Sequence, residues 1–170
     1  MVVWPHGGAA LRLIRYADCA DEAWRNGAGR TRVLWSAPVV RISVAALEQD
    51  ARFSDLSGYD RTFCVLGTGA VTLLVDGAER RLGPGEWTAF AGEAQVEARL
   101  HEAPLRAVNV MTLRGAAGHR VWLADGPVEA AMLVALARGR VGEQRFDAGD
   151  LLLPEFPPGL GGPFLAVQIA

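Results

Sequence analysis

The fold is decided by the stretch from Gly58 to Phe90, which reads GYDRTFCVLGTGAVTLLVDGAERRLGPGEWTAF. Short apolar runs of strand length alternate in it with Gly, Pro and Asp at turn positions. Asp76-Gly77 lies between two β-prone runs and predicts a type I′ hairpin turn, because both turn positions need positive φ. Gly83-Pro84-Gly85 predicts a second tight turn. The stretch therefore predicts a small antiparallel barrel or sandwich.

Composition restricts the class of protein. The chain has 170 residues, of which 51% are hydrophobic and 21% charged, with a formal net charge of −2. This is ordinary globular composition, and it allows one domain or two small fused barrels. The chain lacks the runs of Lys and Arg that would indicate a nucleic-acid-binding surface. The apolar stretches end well short of the ~20 residues that span a bilayer.

The cysteines and the N-terminus indicate the compartment. Cys19 and Cys64 are the two cysteines, and no CxxC pair occurs, so free thiols in a reducing compartment are expected. Cys64 lies in an apolar run and is expected to be an inert core residue. Met1–Gly8 lacks the pattern of a signal peptide. We therefore expect a cytoplasmic protein that binds neither nucleic acid nor membrane.

Alternating apolar and polar residues predict further strands. Within Val39–Leu47, Arg41 and Ser43 share one face while apolar residues occupy the other. Within Leu105–Leu113, Asn109 is surrounded by apolar residues on both faces, and a buried amide needs a hydrogen-bond partner. Additional strands are predicted at Leu11–Tyr16, Thr31–Trp35 and Ala94–Leu100.

Two N-terminal segments favour other structure. Asp18–Trp24 is polar and predicts one helical turn. Trp24–Thr31 is a glycine-rich loop that contains Asn26. No Lys-Ser/Thr follows it and no clear helix begins there, so a bend between strands is favoured over a phosphate cradle.

The C-terminal part resembles a fragmentary second copy of the first. Arg81–Glu86 parallels Arg145–Asp150, and Ala107–Val110 parallels Ala166–Ile169, in the same order. This order predicts an internal repeat, with a linker at Gly115–Gly118. Residues 128–137 alone are compatible with a helix because they are rich in Ala, Leu and Met, but the repeat favours a strand.

The strand, glycine turn, hairpin and Pro-Gly-Glu of the opening stretch resemble the core of a cupin barrel. Metal-binding cupins place His-x-His and a Glu where this chain has Phe63–Leu66, and another His after the Pro-Gly turn. Phe63, Val65 and Trp87 stand there instead of imidazoles. We therefore expect no metal site and no cofactor.

A more specific resemblance is to the HutD/Ves family of bicupins. It is carried by four groups of motifs in the order and spacing of the family, namely Trp24–Thr31; Arg41–Ala45; Phe53-Ser54 with Gly58–Arg61; and Phe90–Gly92 with Asn109–Met111 and Arg114. Three positions depart from the family pattern, with Ala28 in place of glycine, Ala51-Arg52 in place of Gly-Pro, and Ala107 in place of aspartate.

The resemblance implies an all-β bicupin, with two fused antiparallel β-barrels of the RmlC-like jelly-roll type. We expect residues 1–170 to form a single unit. Its first barrel covers about residues 38–114. Its second covers about 119–170 and is completed by N-terminal strands at about 9–36.

Family membership also implies a function. It indicates a metal-free protein, tied in several bacteria to histidine utilisation or stress response, with no established catalytic reaction. The family's leading proposal is binding of histidine-pathway acids that are similar to formylglutamate or urocanate. The expected role is therefore non-catalytic binding or sensing of a small carboxylate.

The residues themselves offer a candidate ligand site. Arg61 and Arg41 each present a rigid fork of donors that fits a carboxylate. Residues that could orient the rest of a small polar ligand are Ser43, Asn26 and Asn109, and Met111 joins them through the family motif. In the alternative reading both arginines form rim ion pairs with Asp60 or Glu48, and Asn26 only forms a turn.

Two other functions stay open from the sequence. One is a metal-free cupin isomerase or lyase that acts on a small acid with Glu86 or a histidine as acid/base. However, His6, His101 and His119 have no metal-ligand spacing and are all expected at terminal or loop-edge positions. The other is a structural or partner-binding protein with vestigial pockets. We assign no catalytic residue, and a homodimer is possible.

Overall fold

The computed structural model describes residues 11–124, 130, 132–141, 143–154 and 163–170. These residues form β-strands joined by turns, with a single 3-10 turn at Tyr16–Asp18. The strands are β1 Leu11–Ile14, β2 Asp21–Ala23, β3 Gly29–Ala37, β4 Val40–Leu47, β5 Ala51–Arg52, β6 Tyr59–Leu66, β7 Val71–Val75, β8 Ala78–Leu82, β9 Trp87–Ala91, β10 Val96–Leu100, β11 Leu105–Leu113, β12 His119–Ala124, β13 Met132–Ala135, β14 Gly139–Val141, β15 Gln144–Phe146, β16 Leu151–Pro154 and β17 Phe164–Ile169.

Antiparallel pairing groups these strands into three sheets and a small hairpin. The central sheet has the order β2-β3-β4-β11-β6-β9. A four-stranded sheet has the order β5-β10-β7-β8, and a C-terminal sheet has the order β1-β16-β13-β17-β12. The hairpin consists of β14 and β15.

The central sheet is buried on both faces. Ile42 and Val44 of β4 pack against Val134 and Leu165 of the C-terminal sheet in one core cluster. The next residue, Ala45, lies on the other face, in a core shared with the four-stranded sheet. Successive side chains of a strand point to opposite faces, so β4 supplies both cores at once. The central sheet therefore forms the middle layer of a stack.

A third core covers the far side of the C-terminal sheet. Leu133 and Ala166 pack there with Phe146 of the β14–β15 hairpin. The rings of Phe146 and Phe164 lie 5.4 Å apart between centroids. The C-terminal sheet is therefore also apolar on both faces.

These observations confirm the all-β class, but the strands form separate sheets rather than closed barrels. The type I′ hairpin is confirmed, because Asp76 and Gly77 have φ values of 49° and 83°. The helical turn predicted at Asp18–Trp24 is wrong. Asp21–Ala23 extends as β2 and pairs along β3, and the 3-10 turn at Tyr16–Asp18 ends before it.

The predicted repeat is matched by hydrogen bonds in the two halves. Gly85 N–H donates to the Val65 carbonyl, and Gly149 N–H donates to the Ala135 carbonyl. In both turns an acidic side chain accepts from the backbone N–H three residues earlier. Strand order matches as well, since β4-β11-β6-β9 corresponds to β12-β17-β13-β16. The strand register aligns Ala107 with Phe164, so the predicted match of Ala107–Val110 with Ala166–Ile169 is offset by two residues.

The N-terminal strands divide between two sheets. β1 pairs with β16 and so joins the C-terminal sheet, whereas β3 pairs along β4 and belongs to the central sheet. Within residues 128–137, Met132–Ala135 forms strand β13 as the repeat favoured, and residues 128, 129 and 131 lie outside the described residues. The barrel boundaries near residues 38–114 and 119–170 remain a prediction.

His119 links the C-terminal sheet to the central sheet. Its ring nitrogens Nε2 and Nδ1 lie 2.9 Å and 2.8 Å from the hydroxyl oxygens of Thr62 and Thr112. Burial lowers the pKa of His119, which favours the neutral ring. His119 stands at a loop edge, as expected, because it is the first residue of β12 after the 114–118 turn. Its half-buried position between the layers was not predicted.

We expect that a fragment ending at Gly118 does not fold to a stable state. It would lack the C-terminal sheet and expose one whole core face of the central sheet, including Ile42, Val44 and Val110. Burial of each such side chain contributes about 1.5–3 kcal/mol, so the fragment should be insoluble or molten. Near-UV circular dichroism and thermal melting of residues 1–118 test this, and a sharp cooperative melt would contradict it.

Candidate functional site

A cavity of about 590 Å³ opens between one face of the central sheet and two flanking segments. Its floor is formed by β4, β11 and β6. One wall is the β2–β3 turn, and another is β5 with the loop that follows it. The cavity therefore follows β4 from Arg41 to Leu47 and adjoins the core that the central sheet shares with the four-stranded sheet.

The floor is organised in two rows across neighbouring strands. In the first row, Met111 of β11 is paired with Arg41 of β4 on one side and with Arg61 of β6 on the other. In the second row, Asn109 is paired in the same way with Ser43 and Phe63. Because paired residues share a face, all six side chains lie on the face that bounds the cavity.

Arg61 is a buried cation without a carboxylate partner. It is 7% exposed, its Nη1 donates to the Ser54 carbonyl and its Nη2 to Asn109 Oδ1, both at 3.4 Å, and its Nε has no hydrogen-bond partner. Among the described residues no Asp or Glu lies within ion-pair distance of Arg61. Burial lowers the pKa of Arg61 to about 10, which leaves the guanidinium charged at neutral pH.

Two phenyl rings support the Arg61 guanidinium from one side. Its Cζ lies 5.3 Å from the Phe53 centroid and 5.2 Å from the Phe90 centroid. The two centroids are 6.4 Å apart, which is too close for the rings to lie on opposite sides of the cation. The rings contribute cation–π attraction, and no other aromatic ring of the described residues lies over this guanidinium.

Arg41 is the second guanidinium of the floor. It is half-buried, and its Nε atom also lacks a hydrogen-bond partner. The alternative that either arginine pairs with Asp60 or Glu48 is not supported in the described structure. Asp60 Oδ1 instead accepts from Arg114 Nε at 2.9 Å, and Arg114 also pairs with Glu93.

The wall at the β2–β3 turn is held by side-chain hydrogen bonds. Asn26 Oδ1 accepts from the Ala28 N–H at 3.1 Å, so Asn26 is a turn former as well as a lining residue. The Trp24 indole Nε1–H donates to Thr31 Oγ1 at 2.7 Å. The turn itself closes through the Trp24 N–H and the Gly29 carbonyl.

The structure brings all six sequence-predicted site residues to this cavity, namely Arg61, Arg41, Ser43, Asn26, Asn109 and Met111. Sequence reasoning did not assign to it the lining residues Trp24, Phe53 and Leu56. The Phe53-Ser54 motif was a usable signal, since it recurs in the family pattern, whereas nothing local to Leu56 indicates a cavity.

The residues at the metal positions of cupins do not fit a metal. Phe63 and Val65 are fully buried and offer no donor atom, and Trp87 is 41% exposed. No group of three or more His, Cys, Asp or Glu side chains is placed to hold an ion in the described part of the chain. Burial raises the pKa of the Cys64 thiol to about 12, in agreement with an inert core residue.

Comparison with known proteins places this architecture in a family. A model of the HutD family matches residues 16–151. This chain belongs to the HutD family. None of its described residues forms a helix that is long and apolar enough to cross a membrane.

Two curated relatives illustrate the similarity. An uncharacterized 21.2 kDa protein in the hutC 3′ region of Pseudomonas putida is 33% identical over 114 residues, which cover 59% of this chain and 57% of that protein. Protein Ves of Cronobacter sakazakii is 37% identical over 109 residues, which cover 60% of each chain. This HutD-family chain thus spans less than two thirds of the length of these relatives.

Solved structures agree with the fold. HutD from Pseudomonas fluorescens SBW25, in a formate condition, has a TM-score of 0.82 at 25% identity and covers 95% of this chain and 98% of its own. A conserved protein of unknown function from Pseudomonas aeruginosa PAO1 has a TM-score of 0.76 at 25% identity, with 95% and 99% covered. KdgF from Halomonas sp. has a TM-score of 0.50 at 15% identity, with 59% and 91% covered, and shows the cupin fold alone.

Gly92 holds the loop that contains Phe53 and Ser54 through two backbone hydrogen bonds. Its carbonyl accepts from the Leu56 N–H, and its N–H donates to the Tyr59 carbonyl at 2.6 Å. A β-carbon on Gly92 would overlap the carbonyl oxygens of Leu56 and Tyr59. The loop can therefore approach the sheet this closely only where the residue has no side chain.

We expect Gly92→Ala to destabilise the protein by about 1–3 kcal/mol, because a methyl group must displace backbone atoms. Gly118→Ala is the matched control, since no atom lies within 4 Å of the added carbon and its φ is not positive, and it should change stability by less than ~0.5 kcal/mol. Urea denaturation of both variants and the wild type measures the difference. Equal midpoints for the two variants would contradict the account of Gly92.

Proposed function

We propose that this HutD-family protein binds a small carboxylate in the cavity and acts as a non-catalytic binding or sensing protein. The observation that carries the proposal is the Arg61 guanidinium, which is buried, charged and without a carboxylate partner among the described residues. An unpaired buried charge is costly. A carboxylate that enters the cavity would compensate this charge with a planar, two-oxygen acceptor that fits the guanidinium fork.

Other features of the floor support an anionic ligand. Arg41 adds a second cation in the same row as Arg61, and both rows lie on one face. Ser43 and Asn109 are buried beside them, and their hydroxyl and amide groups offer hydrogen bonds to the rest of a small polar ligand. We therefore assign the carboxyl group of the proposed ligand to the end of the cavity where Arg41 and Arg61 lie.

The relatives support a physiological context for the proposal. One curated relative is named for its position in the hutC 3′ region, and the structural neighbour from Pseudomonas fluorescens is HutD in a formate condition. We therefore propose that the ligand is an acid of the formylglutamate or urocanate kind, and that binding serves regulation of histidine utilisation or a stress response.

The enzymatic alternative receives less support. Glu86 Oε2 accepts from the Gly83 N–H at 2.7 Å, so this carboxylate is engaged in its own turn. His101 lies against the Thr72 hydroxyl, and His119 lies between the layers. None of these three residues lines the cavity. Among the described residues, a catalytic acid/base at the cavity would therefore have to be another side chain, and His6 lies outside the described residues.

The two-barrel arrangement is also proposed here. It is supported by the matching strand orders and turn hydrogen bonds of the two halves. In the second half, Phe164 occupies the position that corresponds to Ala107 by strand register. Trp122 occupies the position that corresponds to Ser43. These larger side chains belong to a packed core, so we place the ligand in the first half.

Substitution of Arg61 tests the proposed function. A charge-assisted bidentate contact contributes roughly 1.5–3 kcal/mol, so Arg61→Ala should weaken binding of the cognate acid about tenfold to a hundredfold. Arg61→Lys should restore little, because an ammonium group cannot reproduce the planar fork. Titration calorimetry with the best ligand from a thermal-shift screen of small acids measures these affinities.

Arg99→Ala provides the matched control for Arg61. Arg99 lies on β10 with its side chain 50% exposed, pairs with Glu79 and Glu97 and does not line the cavity. This variant should bind the acid with wild-type affinity. Unchanged affinity in a folded Arg61→Ala variant would remove Arg61 from the site and refute the proposal.

We further propose that no transition metal takes part in this function. Phe63, Val65 and Trp87 stand at the cupin ligand positions, and carbon side chains cannot replace imidazole ligands. Elemental analysis of protein purified without chelator or affinity tag should find far less than one metal ion per chain. Close to one zinc, iron or manganese per chain would overturn this part of the proposal.

A further inference from the structure

We propose that the acid bound in the cavity carries a single carboxylate on a flat, apolar body. This inference rests on the proposed function and specifies the class of ligand. Of the two acids proposed above, it disfavours formylglutamate, which carries two carboxylates. Three features of the cavity lead to it. These are its volume, the change from polar to apolar residues along its floor, and an aromatic wall that begins at Arg61.

The cavity is much larger than a carboxyl group. Its volume is about 590 Å³, within the range of sites that enclose a ligand of many heavy atoms. Arg61 and Arg41 lie in the same row at one end of the floor. The carboxyl group that they hold therefore occupies one end, and most of the volume remains for the rest of the ligand.

The floor becomes apolar away from the arginines. Along β4, the lining residues are Arg41, Ser43, Ala45 and Leu47 in that order. Phe63 follows Arg61 in the same way along β6. A ligand that is anchored at the arginine row and extends along the strands therefore contacts apolar side chains.

An aromatic wall accompanies this apolar part of the floor. The Phe53 centroid lies 5.5 Å from that of Phe63 and 6.4 Å from that of Trp24, and Phe53 also contacts the Arg61 cation. The Trp24 indole is held in place by its hydrogen bond to Thr31. Rings of this kind favour flat, apolar groups through stacked or edge-to-face contacts.

A second charge on the ligand would have no buried partner among the lining residues at the end of the cavity away from Arg41 and Arg61. The remaining charged lining residues, Glu22, Arg25 and Arg52, are exposed, and Arg52 lies 4.0 Å from the Glu97 carboxylate. Exposed pairs contribute little, and a carboxylate placed against Ala45 or Leu47 would lose its hydration. A dianionic acid should therefore gain nothing over a monoanionic one.

A series of acids measured with the full chain tests this inference. We expect 3-phenylpropionate to bind roughly tenfold to a hundredfold more tightly than propionate, because a phenyl ring is removed from water. Glutarate, in which three methylene groups separate a second carboxylate from the first, should bind no more tightly than propionate. Chemical-shift titration covers the weak members of the series, and calorimetry covers the tight ones. Glutarate binding as tightly as 3-phenylpropionate would overturn the inference.

Variants at two tryptophans locate the apolar body. Trp24→Leu should weaken 3-phenylpropionate binding roughly twofold to tenfold and leave propionate unchanged. Trp87→Leu is the matched control, because Trp87 is exposed on β9 and does not line the cavity. Equal losses for both acids in Trp24→Leu would contradict the assigned position. If this variant does not fold, the wild-type acid series still decides the inference.

Failure of this inference is distinguishable from failure of the proposed function. One outcome is that acids bind in a way that depends on Arg61 while the affinity for glutarate equals or exceeds that for 3-phenylpropionate. That result would support the carboxylate site and refute the inference of an apolar ligand body. If 3-phenylpropionate binds equally well to Arg61→Gln and to the wild type, the carboxylate anchor is wrong, and the inference falls with it.

Discussion

The register that joins β4, β11 and β6 is the constraint on which the rest of the structure depends. It aligns Arg41, Met111 and Arg61 in one row and Ser43, Asn109 and Phe63 in the next. A slip of one residue would exchange the two faces of a strand. The guanidinium groups would then enter the core shared with the C-terminal sheet, and Ile42 and Val44 would enter the cavity. Because both faces of the central sheet are buried, either exchange would be strongly unfavourable, and the register is well determined.

The same constraint explains how a buried cation is tolerated. Arg61 lies on a strand whose following residues are buried, with Phe63 and Val65 in one core and Cys64 and Leu66 in the other. The surrounding groups compensate the charge in part, through two long hydrogen bonds and contacts with two phenyl rings. Some stability is thereby given up at Arg61, the position to which the proposed function assigns the anion. In contrast, Arg114 near the same strand is exposed and has full ion pairs, which is the ordinary arrangement for an arginine in a small β-protein.

The two halves share a turn with the same hydrogen bond, but their sheets differ in what they enclose. Glu86 and Asp150 each accept a backbone N–H within their own turns, and the strands that follow occupy matching places in their sheets. Yet one half encloses a cavity and the other a packed core. The difference lies in side-chain volume on the sheet face, where Ala107 and Ser43 correspond by register to Phe164 and Trp122. Ala107, which stands where the family pattern has aspartate, is fully buried in the core shared with the four-stranded sheet.

The candidate site could be predicted largely because its residues lie on strands. Period-two alternation places Arg41 and Ser43 on one face regardless of what the strand pairs with, and the motifs of the HutD family mark Arg61, Asn109 and Met111. The errors arose where structure depends on distant partners. Asp21–Ala23 is too short and polar to indicate a strand, and it extends because β3 offers an edge for pairing. His119 gave no local signal, because Thr62 and Thr112 reach it from two strands of another sheet.

The amino-acid sequence by itself determined the all-β class, the type I′ hairpin at Asp76-Gly77 and the alternation of faces along β4 and β11, because turn chemistry and the period of a strand are local properties of the chain. The tertiary structure alone decided that strands of both termini share one sheet, that the sheets stack rather than close, and that Trp24 and Phe53 form a wall beside Arg61. These features depend on contacts between residues far apart in the chain. Their energies come from burying surface against a partner, and that partner is not encoded in any single segment.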